Sequence, residues 1–288
     1  MSPDAATPEV DGWVMWSGTL GLESPVEPRI GAAAAWGYTH LSVSPLDVAR
    51  LEETGTSATD LGAMIRAAGL EIIVDPVMNW YPGGGPARSR FSRFSPQESL
   101  RMVAELGAVS MTAIGTGSCD GDVAALAEPF GVLCDQAAEL GVLVHLEFIP
   151  MTVISSLAIA RQIVTGADRP NGGILFDTWH FFRGDPDFGV LADTPGDLIF
   201  AVQLDDALAE VEGTLWEDTQ RRLAPGDGAL DLARAVRALA DIGALRRVGP
   251  EIIHPDWAAM PAVEAAALSG DKTRAVIDDA LAPSRRTA

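Results

Sequence analysis

Short apolar segments alternate with amphipathic segments along this chain. The apolar segments have the lengths and the bounding turn residues that are typical of strands buried on both faces. They cover residues 15–20, 39–44, 71–77, 109–115, 142–148, 173–179, 199–206 and 248–254. The segments between them repeat apolar residues at helical spacing, and several begin at Ser, Thr or Asp and end at Gly, as helices do. Another helical segment follows the last predicted strand.

This alternation predicts the fold class. Strands that alternate with helices form a parallel sheet covered by those helices. Eight such units in 288 residues favour a single closed (β/α)₈ TIM barrel, and a doubly wound open sheet is the alternative architecture. No linker or low-complexity segment divides the chain. We therefore predict one α/β domain over residues 1–288, with a disordered N-terminal tail over residues 1–12.

The charge of the chain limits its partners. Forty acidic and 20 basic residues give a formal net charge of −20. Nucleic-acid binding depends on basic side chains that neutralise phosphates, so this charge argues against a nucleic-acid partner. No apolar stretch approaches the roughly 18 residues that a membrane span needs, and the N-terminus has no secretory signal. We predict that the protein binds a small molecule and does not bind a membrane. Whether it forms a homo-oligomer stays open.

Cysteine and lysine usage excludes further classes of site. Cys119 and Cys134 fit neither a disulfide framework nor a zinc spacing, which favours a reducing cytoplasm and inert cysteines. Lys272 is the only lysine, and its polar surroundings predict a solvated side chain. Schiff-base aldolases, pyridoxal phosphate enzymes and P-loop NTPases each need a lysine at a defined place. The sequence therefore argues against all three.

Polar side chains occur at the ends of the last four predicted strands, inside apolar runs. They are Glu147 on strand five, Asp177 and His180 on strand six, Gln203, Asp205 and Asp206 on strand seven, and Glu251 and His254 on strand eight. In a barrel these ends line the active site. Each acid alone fits a cap or a rim residue. Buried acids are costly unless they are paired or bound to metal, so four consecutive strands of this kind favour a shared metal site.

The motifs on these strands resemble a known family. They read "LEF", "DTWHFFRG", "QLDD", "RLAPGDG" and "PEIIHPDW". Together they are similar to the sugar isomerase/epimerase group of xylose isomerase-like TIM barrels. That group includes ketose 3-epimerases, inosose isomerases and dehydratases, and more distantly endonuclease IV. The resemblance covers the chain from about residue 13 to residue 260.

The resemblance implies a metal site with four ligands. They fall on Glu147, Asp177, Gln203 and Glu251. Many relatives have histidine where this chain has Gln203, so the implied ligand set contains only oxygen. Oxygen ligands favour Mn²⁺ or Mg²⁺, with Co²⁺ as a further candidate, and make Zn²⁺ less favoured.

The resemblance also implies roles for other residues. Glu147 and Glu251 form the pair that moves a proton, while His180 and Arg222 bind substrate. Arginine is common in relatives at the position of His254, and its replacement argues against phosphorylated substrates.

Aromatic residues and the remaining histidines gave further expectations. Trp16 and Trp257, and also Trp80 and Trp179, lie at predicted strand ends where an indole ring can stack on a sugar, although plain packing is the favoured interpretation for any one of them. His145 lies two residues before Glu147 and is a candidate hydrogen-bond partner behind the metal ligands. We interpret His40 as structural. The Gly-rich loops at 81–90 and 115–121 lie at the predicted barrel mouth, and the first is a candidate lid.

These observations lead to one main hypothesis and three alternatives. The first is a divalent-metal-dependent isomerase or epimerase of a keto sugar, inosose or related polyol, which acts by proton abstraction next to a carbonyl through a metal-stabilised enediolate. The second is a lyase or dehydratase that uses the same site on a keto-polyol or keto-glycoside. The third is a non-catalytic barrel that binds a ligand or partner subunit. The net charge argues against the fourth, a metal-dependent nuclease.

Overall fold

Eight parallel strands form a closed barrel in the computed structural model, which describes residues 10–82, 89–117 and 122–283. The strands follow one another around the barrel in chain order, and the last pairs with the first. This arrangement confirms the predicted (β/α)₈ barrel and excludes the open sheet. No helix of the described residues is long and apolar enough to cross a membrane.

The barrel strands overlap all eight predicted segments. They are β1 (Asp11–Met15), β2 (His40–Val43), β3 (Glu71–Val77), β4 (Ser110–Ile114), β5 (Leu143–Glu147), β6 (Gly172–Asp177), β7 (Ile199–Leu204) and β8 (Arg246–Pro250). The prediction for β1 was wrong at both ends, because the chain turns after this strand where the Thr19 N–H donates to the Trp16 carbonyl. Residues 11 and 12 of the predicted tail lie in β1. Residues 1–9 of that tail lie outside the described residues.

Helices cover the outside of the barrel. The α-helices are α1 (Val26–Trp36), α2 (Pro45–Glu53), α3 (Ala58–Ala67), α4 (Pro96–Leu106), α5 (Ala127–Ala138), α6 (Leu157–Ala167), α7 (Thr178–Arg183), α8 (Phe188–Ala192), α9 (Leu215–Asp218), α10 (Leu232–Asp241), α11 (Pro255–Ala259) and α12 (Ala262–Leu281). Short 3₁₀ helices cover Arg90–Arg93, Val123–Leu126, Gly196–Leu198 and Thr219–Arg221. The helix predicted in the segment before β7 is one of these 3₁₀ turns, and α7 and α8 precede it.

Serine capping boxes begin three of the outer helices in the described part of the chain. Ser95, for example, accepts from the Glu98 N–H at 3.2 Å, while its own N–H donates to the Glu98 carboxylate at 2.8 Å. The same reciprocal capping box begins α2 and α3. Each cap contributes about 1 kcal/mol. These local signals explain why the helix starts could be predicted from the sequence.

The barrel interior contains an apolar layer below its mouth. That layer consists of Val14, Trp16, Ile73, Leu175 and Ala201, all fully buried. Side chains two residues apart on a strand point in the same direction. Asp75, Asp177 and Gln203 each follow a member of this layer by two residues, so they point into the barrel at the C-terminal ends of their strands. The barrel therefore places polar groups directly above an apolar floor.

Candidate active site

Five carboxylates are buried at the C-terminal mouth of the barrel. They are Asp75, Glu147, Asp177, Asp205 and Glu251. Burial of that many acids is costly unless cations or protons compensate them. The mouth of the barrel is therefore the natural place for a cation and for acid–base chemistry.

Glu147, Asp177 and His180 form a compact group. One ligand atom from each residue lies within 4.8 Å of the others. His180 Nε2 is 3.2 Å from Glu147 Oε1 and 3.9 Å from Asp177 Oδ2. Oxygen and imidazole atoms at this spacing can hold a divalent cation. The structure thus brings together two of the four implied ligands and places beside them His180, to which the resemblance assigned substrate binding.

Gln203 is the clearest sign that this site holds a cation. It lies on β7 directly beside Asp177 in the register of the sheet, and it is fully buried. Neither atom of its amide has a hydrogen-bond partner among the described residues. An unsatisfied buried polar group costs about 1–3 kcal/mol. Ligation to a metal would satisfy the amide oxygen of Gln203, so the residues present fit the metal that the resemblance implies.

Glu251 follows β8 and faces the same mouth. Its carboxylate lies against Gly18, where an added Cβ would be only 2.7 Å from Oε1. Because residue 18 is a glycine, the space beside it is open to the Glu251 side chain. Burial and the neighbouring Asp75 raise the pKa of Glu251 well above its usual value. A carboxyl with a raised pKa is suited to accept a proton from a carbon acid and to return it.

Arg222 is the buried cation that contacts these carboxylates. Its Nη1 donates to Asp177 Oδ2 at 2.7 Å and to Asp205 Oδ2 at 2.5 Å. Burial opposes its charge, but the two aspartates more than offset this and raise the pKa of Arg222 above its usual value. Its Nη2 is 3.3 Å from His180 Nε2. Arg222 thus holds one oxygen of the Asp177 carboxylate and lies beside His180.

Asp205 connects β7 to the beginning of α7. Its Oδ1 accepts from the Thr178 hydroxyl at 2.6 Å and from the Trp179 N–H at 2.7 Å. Burial and the nearby Asp177 raise the pKa of Asp205 well above its usual value. Together with the ion pair to Arg222, these bonds hold His180 and Arg222 in fixed relative positions.

Asp177 ends its strand earlier than predicted. Its Oδ1 accepts from the His180 N–H at 2.7 Å, so it is the N-cap of α7. The sequence had extended the strand to Trp179, which instead lies in the first turn of α7. This cap explains how Asp177 and His180 come to face the same site. The Asp177 carboxylate is thus shared between the cap of α7 at Oδ1 and the bond from Arg222 at Oδ2.

Asp206 organises the loop that carries Arg222. Its carboxylate accepts from the backbone N–H groups of Gly226, Gly228 and Leu230 at 3.0–3.1 Å. An added Cβ at Gly228 would lie 2.3 Å from Asp206 Oδ1, so the loop needs glycine there. The "PGDG" motif is thus explained by Asp206, which positions the loop from outside the group of facing carboxylates.

Sequence reasoning missed Asp75. It lies near the end of β3, is 7% exposed, and has no hydrogen-bond partner among the described residues. Burial and the charges of Glu147 and Asp177 raise its pKa well above the usual value. The register between β3 and β4 shifts at this point, and such irregularities often occur beside active sites. The available signal was an acid inside the apolar run "EIIVDPV", the same signal that identified the other acids.

The structure places the four tryptophans differently from one another. Trp179 is fully buried and donates to Asp218 at 2.9 Å, and buried Trp80 donates to the Ile114 carbonyl at 2.9 Å. Both have packing roles. Trp16 is buried in the apolar layer, and its indole N–H has no partner among the described residues. Trp257 is partly buried in α11, beyond β8.

The other histidines lie outside the group of facing carboxylates. The expectation for His145 was wrong: neither ring nitrogen has a partner in the described part of the chain, and its ring packs edge-on against Phe200. Burial, together with the charges of Arg247 and His40, lowers the pKa of His145 to about 3, so its ring is neutral. His40 is structural, as predicted; it is 2.9 Å from Glu71 at the opposite rim. His254 caps α11 by accepting from the Asp256 N–H.

Two predicted loops lie mostly outside the described residues, which omit 83–88 and 118–121. Cys119 is among the omitted residues. Cys134 is buried, and burial and Asp135 raise the pKa of its thiol to about 12. Lys272 is partly exposed and pairs with Asp227 at the surface.

Comparison with known proteins assigns the family. The family described as xylose isomerase-like TIM barrel matches residues 30–272. The chain belongs to this family. The match includes β2 to β8 and every buried carboxylate of the mouth. It confirms the resemblance that the sequence motifs had indicated.

Curated relatives of this xylose isomerase-like chain include two kinds of enzyme. Inosose isomerase of Bacillus velezensis is 31% identical over 153 residues, which cover 52% of this chain and 54% of the relative. Inosose isomerase of Bacillus subtilis is 32% identical over 135 residues, 46% of this chain and 48% of the relative. The 3-dehydroshikimate dehydratase of Pseudomonas aeruginosa is 24% identical over 246 residues, 84% of this chain and 38% of the relative. The chain spans about half the length, or less, of these relatives.

Solved structures share the barrel. The IolI protein, solved with a bound zinc atom, superposes with a TM-score of 0.79 and 20% identity over 94% of this chain and 100% of that one. D-psicose 3-epimerase of Clostridium cellulolyticum H10, solved with D-tagatose, has a TM-score of 0.67 and 16% identity over 92% of this chain and 99% of that one. At these identities the likeness shows the fold alone.

Gln203→His tests whether the amide is a metal ligand. Imidazole binds Co²⁺, Ni²⁺ and Zn²⁺ better than an amide oxygen does, so we expect the variant to keep metal binding and to shift its preference toward these ions. Competition between Mn²⁺ and Zn²⁺ at equilibrium measures the shift. Gln162→His on the exposed face of α6 is the matched control and should leave the preference unchanged. An unchanged preference in Gln203→His would show that Gln203 is not a ligand.

Proposed function

We propose that this protein is a divalent-metal-dependent isomerase or epimerase of an uncharged keto sugar, inosose or related polyol. The observation that carries the proposal is the buried group of Glu147, Asp177 and His180 beside Gln203, whose amide lacks a partner. The relatives named inosose isomerase support the reaction class. The epimerase solved with D-tagatose shares the fold.

The reaction requires a polarised carbonyl, a base and an acid. A bound divalent cation would supply Lewis-acid polarisation of the carbonyl, and Glu147, Asp177, Gln203 and Glu251 would hold it. Glu147 and Glu251 belong to β5 and to the end of β8, so they approach a substrate at the mouth from different sides. One removes the proton next to the carbonyl and the other returns a proton. Return to the opposite face of the same carbon inverts it, and return to the neighbouring carbon isomerises the substrate.

His180 and Arg222 orient the substrate in this proposal. His180 Nδ1 is buried and has no partner in the described part of the chain, so it is available to a substrate hydroxyl. Arg222 lies 3.3 Å from the other ring nitrogen and stabilises negative charge that develops during proton transfer. Trp16 and Trp257 remain proposed contacts for the apolar face of the substrate.

The ligand set favours Mn²⁺ or Mg²⁺ as the working metal. Gln203 contributes an oxygen where many relatives have imidazole, and oxygen ligands select harder cations. Co²⁺ is the next candidate. The related IolI structure contains zinc, so the metal preference of this chain is a direct test of the Gln203 assignment.

A dehydratase is the second candidate function. The relatives named 3-dehydroshikimate dehydratase align over 84% of this chain, and loss of a β-hydroxyl would begin with the same proton abstraction. A carboxylated substrate needs a cation to receive it. Among the described residues, Arg222 is the cation that contacts the site carboxylates, and it is already paired with two of them. This arrangement favours isomerisation of an uncharged substrate.

Metal removal and reconstitution test the proposed function. The protein should bind about one divalent cation per chain, and chelation should abolish interconversion of ketoses or keto-inositols. Mn²⁺ or Mg²⁺ should restore the activity, and turnover in deuterated solvent should place deuterium next to the carbonyl. Product analysis separates isomerisation or epimerisation from dehydration. Full activity without metal would contradict the proposal, and dehydrated product alone would favour the second candidate.

A further inference from the structure

The position of Asp75 is determined by the barrel. Ile73 belongs to the apolar layer inside the barrel, and Asp75 follows it by two residues on β3, so Asp75 points inward one layer higher. The charges that act on Asp75 come from Glu147 and Asp177, which lie on β5 and β6. The charge of Asp75 in turn raises the pKa of Glu251, which follows β8. Acids from the adjacent strands β5 and β6 and from the end of β8 are therefore close enough to Asp75 to interact with it electrostatically.

Asp75 and Glu251 differ from the other acids of the mouth, because neither carboxyl group has a hydrogen bond or an ion pair with a described residue. Asp177 and Asp205 are ion-paired with Arg222, and Glu147 lies 3.2 Å from His180. Asp75 makes no hydrogen bond or ion pair within the described residues, although it is only 7% exposed. A buried carboxylate with four open acceptor positions is costly in the free protein. Its oxygens are available to hydroxyl donors of a ligand at the mouth.

The charge of the mouth excludes one class of ligand. Five buried carboxyl groups face a single guanidinium among the described residues, and that guanidinium is already paired with Asp177 and Asp205. A phosphate or carboxylate beside Asp75 would therefore find no free cationic side chain among the described residues in this poorly solvated space. Hydroxyl groups are donors without charge, and a polyol presents several of them on adjacent carbons.

We infer that Asp75 binds two hydroxyl groups of the substrate and selects uncharged polyols against phosphorylated or carboxylated ones. The inference rests on the proposed function, because it assigns the hydroxyl groups to a keto-polyol held at the same mouth. It places a specificity-determining residue on β3, across the barrel from the ligands on β5 to β7. Asp75 contacts the substrate in this inference and does not ligate the metal.

Asp75→Asn is the main test, performed on Mn²⁺-loaded protein with a neutral ketose or keto-inositol. The amide retains the shape of the carboxylate but removes its charge, so KM should rise about 10- to 100-fold while kcat changes much less. Inhibition by inorganic phosphate should become stronger, and the affinity for Mn²⁺ should stay within about threefold. Glu71→Gln, at the opposite end of the same strand and outside the mouth, is the matched control. It should leave KM and phosphate inhibition unchanged.

Equilibrium binding of an unreactive inositol separates this inference from the proposed function. Wild-type protein that binds inositol through Asp75 but converts no ketose would overturn the function and support the inference. Wild-type turnover with an unchanged KM in Asp75→Asn would overturn the inference alone. Loss of Mn²⁺ affinity in parallel with substrate binding would overturn it as well, because Asp75 would then be a metal ligand. Thermal unfolding checks that the variants fold, and Asp75→Ser provides a second variant of smaller volume.

Discussion

Glu251→Gln is expected to lower turnover by about 10²–10⁴-fold, which is the usual contribution of a general base. Glutamine keeps an oxygen in the space beside Gly18, so metal occupancy should fall only modestly. It cannot accept a proton at neutral pH. The carboxyl of Glu251 is buried and close to Asp75, which makes its proton affinity higher than that of an exposed glutamate. Removing this group should therefore affect the proton transfer far more than binding.

Solvent exchange distinguishes the roles of the two glutamates. If Glu251 is the base, exchange of the substrate proton with deuterated solvent should fall together with turnover. Glu264→Gln, on the exposed face of α12, is the control and should change neither. Full turnover in Glu251→Gln would show that the residue is only structural. Lost turnover with wild-type exchange would make Glu251 the proton donor and Glu147 the base.

The fold could be predicted because its signals are local. Strand segments and helix caps recur along the chain, and the closed barrel follows from their number and order. The errors also have local causes. Apolar residues continue past Met15 into a turn, so the sequence placed the first strand too late. Asp177 caps a helix instead of continuing a strand, because its carboxylate accepts from the His180 N–H.

The candidate site could be predicted only in part. An acid inside an apolar run identified Glu147, Asp177 and Glu251, but the same signal at Asp75 was overlooked. The pairing of Arg222 with Asp177 spans 45 residues, and no periodicity encodes such a contact. The absence of partners around Gln203 and Asp75 is also invisible in sequence, since it depends on what every neighbouring strand presents.

Arg222→Met tests the network that holds the site together. The variant leaves Asp177 and Asp205 buried without their cation, and removal of one member of a buried ion pair costs about 3–5 kcal/mol in the free energy of unfolding. Burial already raises the pKa of Asp205 above its unfolded value, and the loss of Arg222 raises it further. A carboxyl of this kind stabilises the fold below its unfolded pKa, and that stability is lost as pH rises toward the folded pKa. Relative to wild type, Arg222→Met should therefore lose more free energy of unfolding at about pH 8 than at about pH 5.

Urea unfolding of metal-free wild-type and variant protein at both pH values measures this deficit. Arg221→Met is the matched control, because Arg221 is the neighbouring arginine but is exposed and lies 3.7 Å from Glu212. Exposed pairs contribute about 0–1 kcal/mol, so the control should unfold almost like wild type at both pH values. A deficit in Arg222→Met as small as that of the control would show that the two aspartates do not depend on this cation. A large deficit that is independent of pH would mean that lost packing, and not uncompensated charge, destabilises the variant.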